Sequence, residues 1–334
     1  MPTIPGVVLM RRPGGYQDKQ LLVAHGVPEL LQAAQRRGAS LHQLLAGTTL
    51  FEADLQKPQF RIHPGALQRL LGNLNKVPSP ELPAVIAQAI LLNPQIPVCR
   101  LILSAPTLGK ALRYLWFYRQ QLWPLCLPVL QWQGATLRLT LLPAVGMGAA
   151  QPLALAICRQ FVLALCAARQ VRCATAVNPE QGATALLIQL TSAQLAQRLL
   201  SVQSSEHAAA QKAECRHWRQ ICCQQAKLLP RQPGLLEWLS RQQLRRLPHW
   251  LSPDETAAML QLHPAALKRL LAEQHCSFSQ WQDLLRNQLA LFWLSQPELS
   301  NRQLAARLGY SDEHNFRRAV KRWTGLLPSA FRPG

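Results

Sequence analysis

Acidic residues are scarce in this chain: 16 Asp and Glu stand against 36 Lys and Arg in 334 residues, a formal net charge of +20. That balance points to a polyanionic partner, such as nucleic acid or an anionic membrane surface. Long apolar runs are missing as well. The longest, residues 153–168, is broken by Arg159 and Gln160 and falls short of the roughly 20 residues that span a bilayer, so it predicts a buried helix and no membrane partner. The opening MPTIPGVVLMRR puts its charges after a short apolar stretch, the reverse of a secretory signal. Nine cysteines, an odd number without a repeating framework, point to free thiols and a reducing, cytoplasmic setting.

Motifs of chemistry are equally thin. No glycine-rich phosphate loop, paired-carboxylate spacing or nucleophile-and-base pattern occurs, so neither an enzyme nor a cofactor is expected. Cys215, His217, Cys222 and Cys223 lie close together, but their spacing fits no common tetrahedral pattern and adjacent cysteines chelate one ion poorly. We therefore expect no metal.

At 334 residues two domains are the default, because single cores stop growing at about 250–300 residues. The first two hundred residues predict an α+β domain. Helices are expected at 27–38, 40–47 (with Ser40 and Gln43 as a capping box), 64–72, 82–92 and 107–122. A hairpin follows, 125–132 and 135–142 flanking Gln133-Gly134, with Pro124 and Pro128 favouring an edge position for its first strand. After the apolar helix come two short strand candidates, 171–177 and 185–190. Residues 193–227 are helical in composition until Pro230-Arg-Gln-Pro-Gly234 breaks them. The expected boundary lies there, giving domains 1–229 and 230–334.

The stretch 300–332 states a job. Ser300 and Gln303 form a capping box, Leu304, Ala305 and Leu308 an apolar stripe, and Gly309 can take the left-handed conformation that ends a helix. Ser311 can cap a second helix, on which Phe316, Ala319, Val320 and Trp323 share one face. His314, Asn315, Arg317, Arg318, Lys321 and Arg322 are left for the others. A helix with a buried seam and a cationic, amide-bearing outer face suits a DNA major groove. The pattern recurs 48 residues upstream: Ser252 and Glu255 repeat the box, Ala257 and Leu260 the stripe, and, one residue further along, Leu267 and Arg269 match Phe316 and Arg318. Residues 278–296, carrying Phe278, Trp281, Leu285, Leu289, Phe292 and Trp293, predict one connecting helix, with its aromatics in the core. Two such units can enter successive major grooves if their recognition helices sit roughly 34 Å apart.

In these residues the chain resembles the AraC/XylS family of transcription regulators, from about Leu235 to Arg332. Ala305, Gly309, Tyr310, Ser311, Phe316, Arg318, Ala319, Lys321, Trp323, Gly325, Pro328 and Arg332 fit the signature of the family's second unit in order and spacing. The first unit departs from it, with Gln261 in place of a turn glycine and His263 in place of a serine cap. The N-terminal half is similar to one subgroup's effector-binding and dimerisation domain. The resemblance implies a bacterial, cytoplasmic regulator, with activator character, acting as a homodimer on double-stranded DNA and contacting RNA polymerase. Carried over position by position, it marks His263, Ala265, Lys268, Arg269, Glu313, His314, Asn315, Arg317, Arg318, Lys321 and Arg322 as DNA-facing. The alternative is an architectural protein with weak sequence choice.

Of the charge, residues 1–229 hold 22 basic against 8 acidic residues, and 230–334 hold 14 against 8. The N-terminal excess favours an anionic or carboxylate-bearing small-molecule effector.

Overall fold

The computed structural model describes residues 13–331 except 14, 17, 20, 25, 58, 78, 123–124, 134–135, 172–173, 177–186, 192, 195–204, 229–233 and 295–298. The expected boundary at 229/230, the loop between the two late strands, and Arg332 fall outside these.

Five of the expected N-terminal helices form where their start signals lie. They are α1 (Val27–Gln35), α2 (Leu41–Leu45), α4 (Pro64–Leu74), α5 (Leu82–Leu92) and α7 (Leu108–Tyr118). Ser40 and Gln43 make the reciprocal capping box, and Thr107 caps α7 by accepting from the Lys110 amide. Sequence reading missed β1 (Leu21–Leu22), α3 (Glu52–Leu55), β2 (Arg61–Ile62) and α6 (Pro97–Ser104). The reason for α6 is visible: its N-cap is Ile96, with no side-chain acceptor.

The hairpin is β3 (Cys126–Gln133) with β4 (Thr136–Pro143), in antiparallel register Leu127↔Leu142 and Leu130↔Leu139. With β5 (Ala174–Ala176) and β6 (Leu187–Thr191) it makes a four-stranded sheet in the order β3-β4-β6-β5, so β3 is at an edge, as its prolines require. The helical stretch Gly148–Ala168, which contains α8 (Gln151–Ala168), is long and apolar enough to cross a membrane. Here Leu155, Ile157, Phe161, Val162 and Leu165 bury it in the N-terminal core, beside α5 and β4. A long helix, α9 (Ser205–Leu228), follows.

Among the described residues the elements of the C-terminal part from Leu235 onward are helices: α10 (Leu235–Arg246), α11 (Pro253–Met259), α12 (Pro264–Glu273), α13 (Phe278–Leu294), α14 (Asn301–Arg307) and α15 (Glu313–Thr324). The period-two alternation of the hairpin divides it between two cores. Leu137, Leu139 and Leu141 join the N-terminal core, whereas Leu127 and Leu142 are buried with Leu235, Trp238, Trp281 and Leu285 in the second. One sheet therefore has both faces covered, and its outer cover is the helical C-terminal part.

Candidate nucleic-acid interface

The second unit is built from α14 and α15. Ser300 Oγ accepts from the Gln303 amide at 3.2 Å while Gln303 Oε1 accepts from the Ser300 amide at 2.8 Å. Gly309 takes φ 73°, and the turn closes with the Tyr310 amide on the Ala305 carbonyl at 2.9 Å. A Cβ at Gly309 would lie 2.6 Å from Cδ1 of Trp250, so the turn needs glycine for space as well as for its left-handed backbone. The cap of α15 corrects the sequence reading: it is Asp312, not Ser311. Asp312 Oδ1 accepts from the Asn315 amide at 2.7 Å, and Ser311 Oγ donates to Oδ2 at 3.0 Å. Those two hydrogen bonds, the amide's first, hold the Asp312 carboxyl below its usual value.

Phe316, Ala319 and Val320 are buried, which turns His314, Arg317, Arg318, Lys321 and Arg322 outward. Asn315 is half-buried and organised: its Nδ2 donates to Ser311 and Asp312, and its Oδ1 accepts from Arg318 Nη2 at 3.1 Å. Asp312, Asn315 and Arg318 thus form one row at three-residue spacing, ending on an exposed guanidinium. Two of the marked residues serve the fold as well. Arg322 Nη2 sits 2.9 Å from Asp283 of α13, and Glu313 Oε1 accepts from Asn301 of α14 at 3.3 Å.

The first unit repeats this backbone bond for bond. Ser252 and Glu255 form the box, and the Leu262 amide closes the turn on the Ala257 carbonyl at 2.9 Å, as Tyr310 does on Ala305. Gln261 holds φ 56° where the second unit has Gly309. His263 caps α12, its Nδ1 accepting from the Ala265 amide at 3.3 Å. His263, Ala265, Lys268 and Arg269 are all exposed on α12, over a buried Leu267.

Helix α13 joins the units through its core residues Trp281, Leu285 and Leu289. Trp281 is buried and donates from Nε1 to Ser240 Oγ at 3.2 Å, so it is core and not a stacking platform. The same holds for Trp323, packed against the second core, and for Trp293, which also lies under Arg307. The side chain of Phe292 is outside the described residues. Sequence reading missed Arg286: its guanidinium stacks 4.1 Å over Trp250, which precedes the first unit, and 5.8 Å over Tyr310 in the turn of the second. Burial pulls that guanidinium below its usual value, and Tyr310 and Asp283 push back. Gln274 and His275 were missed too. At the end of α12, Gln274 Oε1 accepts from the Gly146 amide at 2.9 Å and His275 lies 3.1 Å from Gln68 Oε1, both partners being N-terminal.

Elsewhere, Cys215 and Cys222 face the N-terminal core and Cys223 is exposed. Among the described residues no three His, Cys, Asp or Glu side chains are grouped to hold an ion.

Two paired helix-turn-helix units on a shared helix define a class, and comparison with known proteins gives it a family. Residues 256–334 match the model of a helix-turn-helix domain. Residues 38–202 match the arabinose-binding domain of AraC transcription regulator, N-terminal. The chain belongs to the AraC/XylS family of transcription regulators. It is 35% identical over 117 residues to the ornithine utilization regulator of Pseudomonas aeruginosa, 34% of each chain. It is 33% identical over 81 residues to the transcriptional regulator VirS of Mycobacterium tuberculosis, 24% of each. The chain thus spans about a third or less of the length of these relatives. Among solved structures, the regulator CdpR of Pseudomonas aeruginosa aligns over 91% of this chain and 96% of its own at 14% identity, TM-score 0.37. A dual regulator of Escherichia coli K-12 aligns over 30% of this chain and 92% of its own at 24% identity, TM-score 0.29.

Proposed function

We propose that the chain is a sequence-specific, duplex-DNA-binding transcription regulator whose N-terminal part responds to a small molecule. The observation that carries this is the duplicated unit. The two backbones agree hydrogen bond for hydrogen bond through the first helix and turn of each unit, share helix α13, and each turns a basic, hydrogen-bonding helix face to solvent. Base-edge reading falls to Arg318 and Asn315, near the start of α15, with Arg317 and His314 beside them. Lys268 and Arg269 do the corresponding work on α12. Lys321, nearer the C-terminal end of α15, meets phosphate and sets position. A homodimer held by residues 1–229, a boundary near 229/230, a cytoplasmic setting, contact with RNA polymerase and the lack of catalysis complete the reading.

The competing reading is an architectural protein that uses the same basic surface without sequence choice. Genome-wide binding of the whole chain separates the two. Discrete sites sharing a motif are the expected result. Even coverage that follows base composition alone would instead establish the architectural role.

A further inference from the structure

Helices α7 and α9 each carry a stripe of base that no acid balances. On α9, Lys212, Arg216, Arg219 and Lys227 recur at four-, three- and eight-residue spacing and are all exposed, which places them on one face. On α7, Lys110 and Arg113 do the same, and Phe117 is exposed one turn further on. The two stripes meet at Tyr114 of α7. Its hydroxyl accepts from Cys215 Sγ of α9 at 3.9 Å. Burial, then Cys215, raises the Tyr114 phenol above its usual value, while Arg219 from α9 and Arg113 from α7 pull it back.

A solvated surface normally mixes both signs of charge, and like charges three or four residues apart on a helix cost stability. Lys212 with Arg216, Arg216 with Arg219, and Lys110 with Arg113 are three such pairs. Helix α7 contains no acidic residue, and α9 contains only Glu206 and Glu214. Glu214 is engaged on the opposite flank, accepting from Arg100 of α6 at 2.8 Å and from Trp218 Nε1 at 3.3 Å. Glu206 lies in the first turn of α9, six residues before Lys212 and so on another face. Among the described residues none of the six cations is in an ion pair. A polyanion laid on this face removes the repulsion that the free protein carries.

We infer that the α7–α9 face is a second duplex-DNA surface, a sequence-blind contact whose cations meet the phosphates of the duplex flanking the site read by the paired units. This goes beyond the regulator reading and rests on it for the presence of the DNA. Charge complementarity selects a polyanion, and contacts of this kind set position without reading bases. Length suits a rod: Lys212 to Lys227 spans about 22 Å of helix, or about six base pairs of duplex at roughly 3.4 Å each. Attachment favours DNA among polyanions. Helix α7 runs directly into Arg119, whose Nη2 pairs with Glu237 of α10, and Gln121 Nε2 donates to the Cys222 carbonyl of α9. The face is thus joined to the part that holds the operator, so flanking duplex reaches it at high local concentration.

The test is the salt dependence of binding by the whole chain to two duplexes carrying one recovered site. One is about 20 base pairs long, the reach of two successive major grooves, and the other about 60. The combined variant Arg113→Gln, Arg216→Gln, Arg219→Gln is compared with a control that removes three other exposed N-terminal cations, Arg36→Gln, Arg69→Gln, Lys76→Gln. Wild type is expected to show the steeper salt slope on the longer duplex. The α7–α9 variant should make that slope shallower by about 2–3 units, with no change on the short duplex and no fall in melting temperature. The control should move either slope by less than about one unit. Equal wild-type slopes on the two lengths, an unchanged slope in the variant, or the same loss in the control would overturn the assignment. Phe117 among cations also suits an anionic membrane, so phosphatidylglycerol vesicles are the third probe. Vesicle binding lost in the variant while its DNA slope stays at the wild-type value would give the face to a membrane instead. The ratio of operator to shuffled-DNA affinity keeps the two claims apart. A high ratio with unchanged slopes sinks this proposal alone, whereas a ratio near one with the expected slopes sinks the regulator reading and leaves the second DNA surface standing.

Discussion

At the turn of the second helix-turn-helix unit stands Gly309 with φ 73°, and at the same place in the first stands Gln261 with φ 56°. The backbones around them agree, down to the 2.9 Å turn hydrogen bond in each. The surroundings differ. A Cβ at Gly309 would lie 2.6 Å from Trp250, whereas Gln261 carries a full side chain at the corresponding place. The recognition helices differ in the same sense: α15 carries an organised row from Asp312 to Arg318, while α12 offers Ala265, Lys268 and Arg269 and has its far end tied to Gly146 and Gln68. The two units share a frame and differ in their outer faces. On the proposed reading both units face DNA, and the first is in addition tied to the N-terminal part.

The turns give the largest test of that comparison. Gly309→Gln adds left-handed strain, about 1–2 kcal/mol, and a collision with Trp250, and should cost about 2–4 kcal/mol of stability by thermal or urea melting. Gln261→Gly relieves strain at the price of a freer unfolded chain and should change stability by less than about 1 kcal/mol. Equal losses at both turns would mean the units are packed alike.

A smaller effect separates base reading from phosphate contact. Arg318→Ala should cost about 1–3 kcal/mol of operator affinity with little change on random DNA, at an unchanged melting temperature. Lys321→Ala should weaken both DNAs equally and make the salt slope shallower by about one unit. A destabilised Arg318→Ala protein, or equal losses on both DNAs, would remove the reading role. Arg322→Ala is smaller still. Its pair with Asp283 is largely exposed, so its removal should cost about 0.2–1 kcal/mol of stability.

The finest distinction is in the caps. His263 caps α12 through Nδ1, 3.3 Å from the Ala265 amide, whereas Asp312 caps α15 with a carboxylate held below its usual value. Because the folded Asp312 value is depressed, its contribution is complete above the ordinary carboxylate range and is lost only as pH falls through the lowered value. In an NMR titration toward acid the Asn315 amide should therefore keep its position through the ordinary carboxylate range and shift only below it. A shift of that amide within the ordinary range would contradict the Asp312 cap.

Much of this was legible in the sequence because its signals are local. Ser40 with Gln43, Ser252 with Glu255 and Ser300 with Gln303 announce helix starts within four residues, and the hairpin announces itself by alternation and its prolines. Asp312 was passed over because Ser311 beside it is an equally good cap by type. What stayed hidden is held together at long range. Arg119 meets Glu237 across 118 residues, Gly146 meets Gln274 across 128, and Arg286 reaches Trp250 and Tyr310 at once. The second face of the hairpin was hidden too, since Leu127 and Leu142 become core only when the C-terminal helices arrive.

The central claim, that the paired units choose a sequence, is tested most directly by one ratio: the affinity of the whole chain for a recovered genomic site over its affinity for the same fragment shuffled, at physiological salt. A regulator should give about 10³ or more, with both affinities falling as salt rises. A ratio within tenfold of one, under the same conditions, would contradict the account.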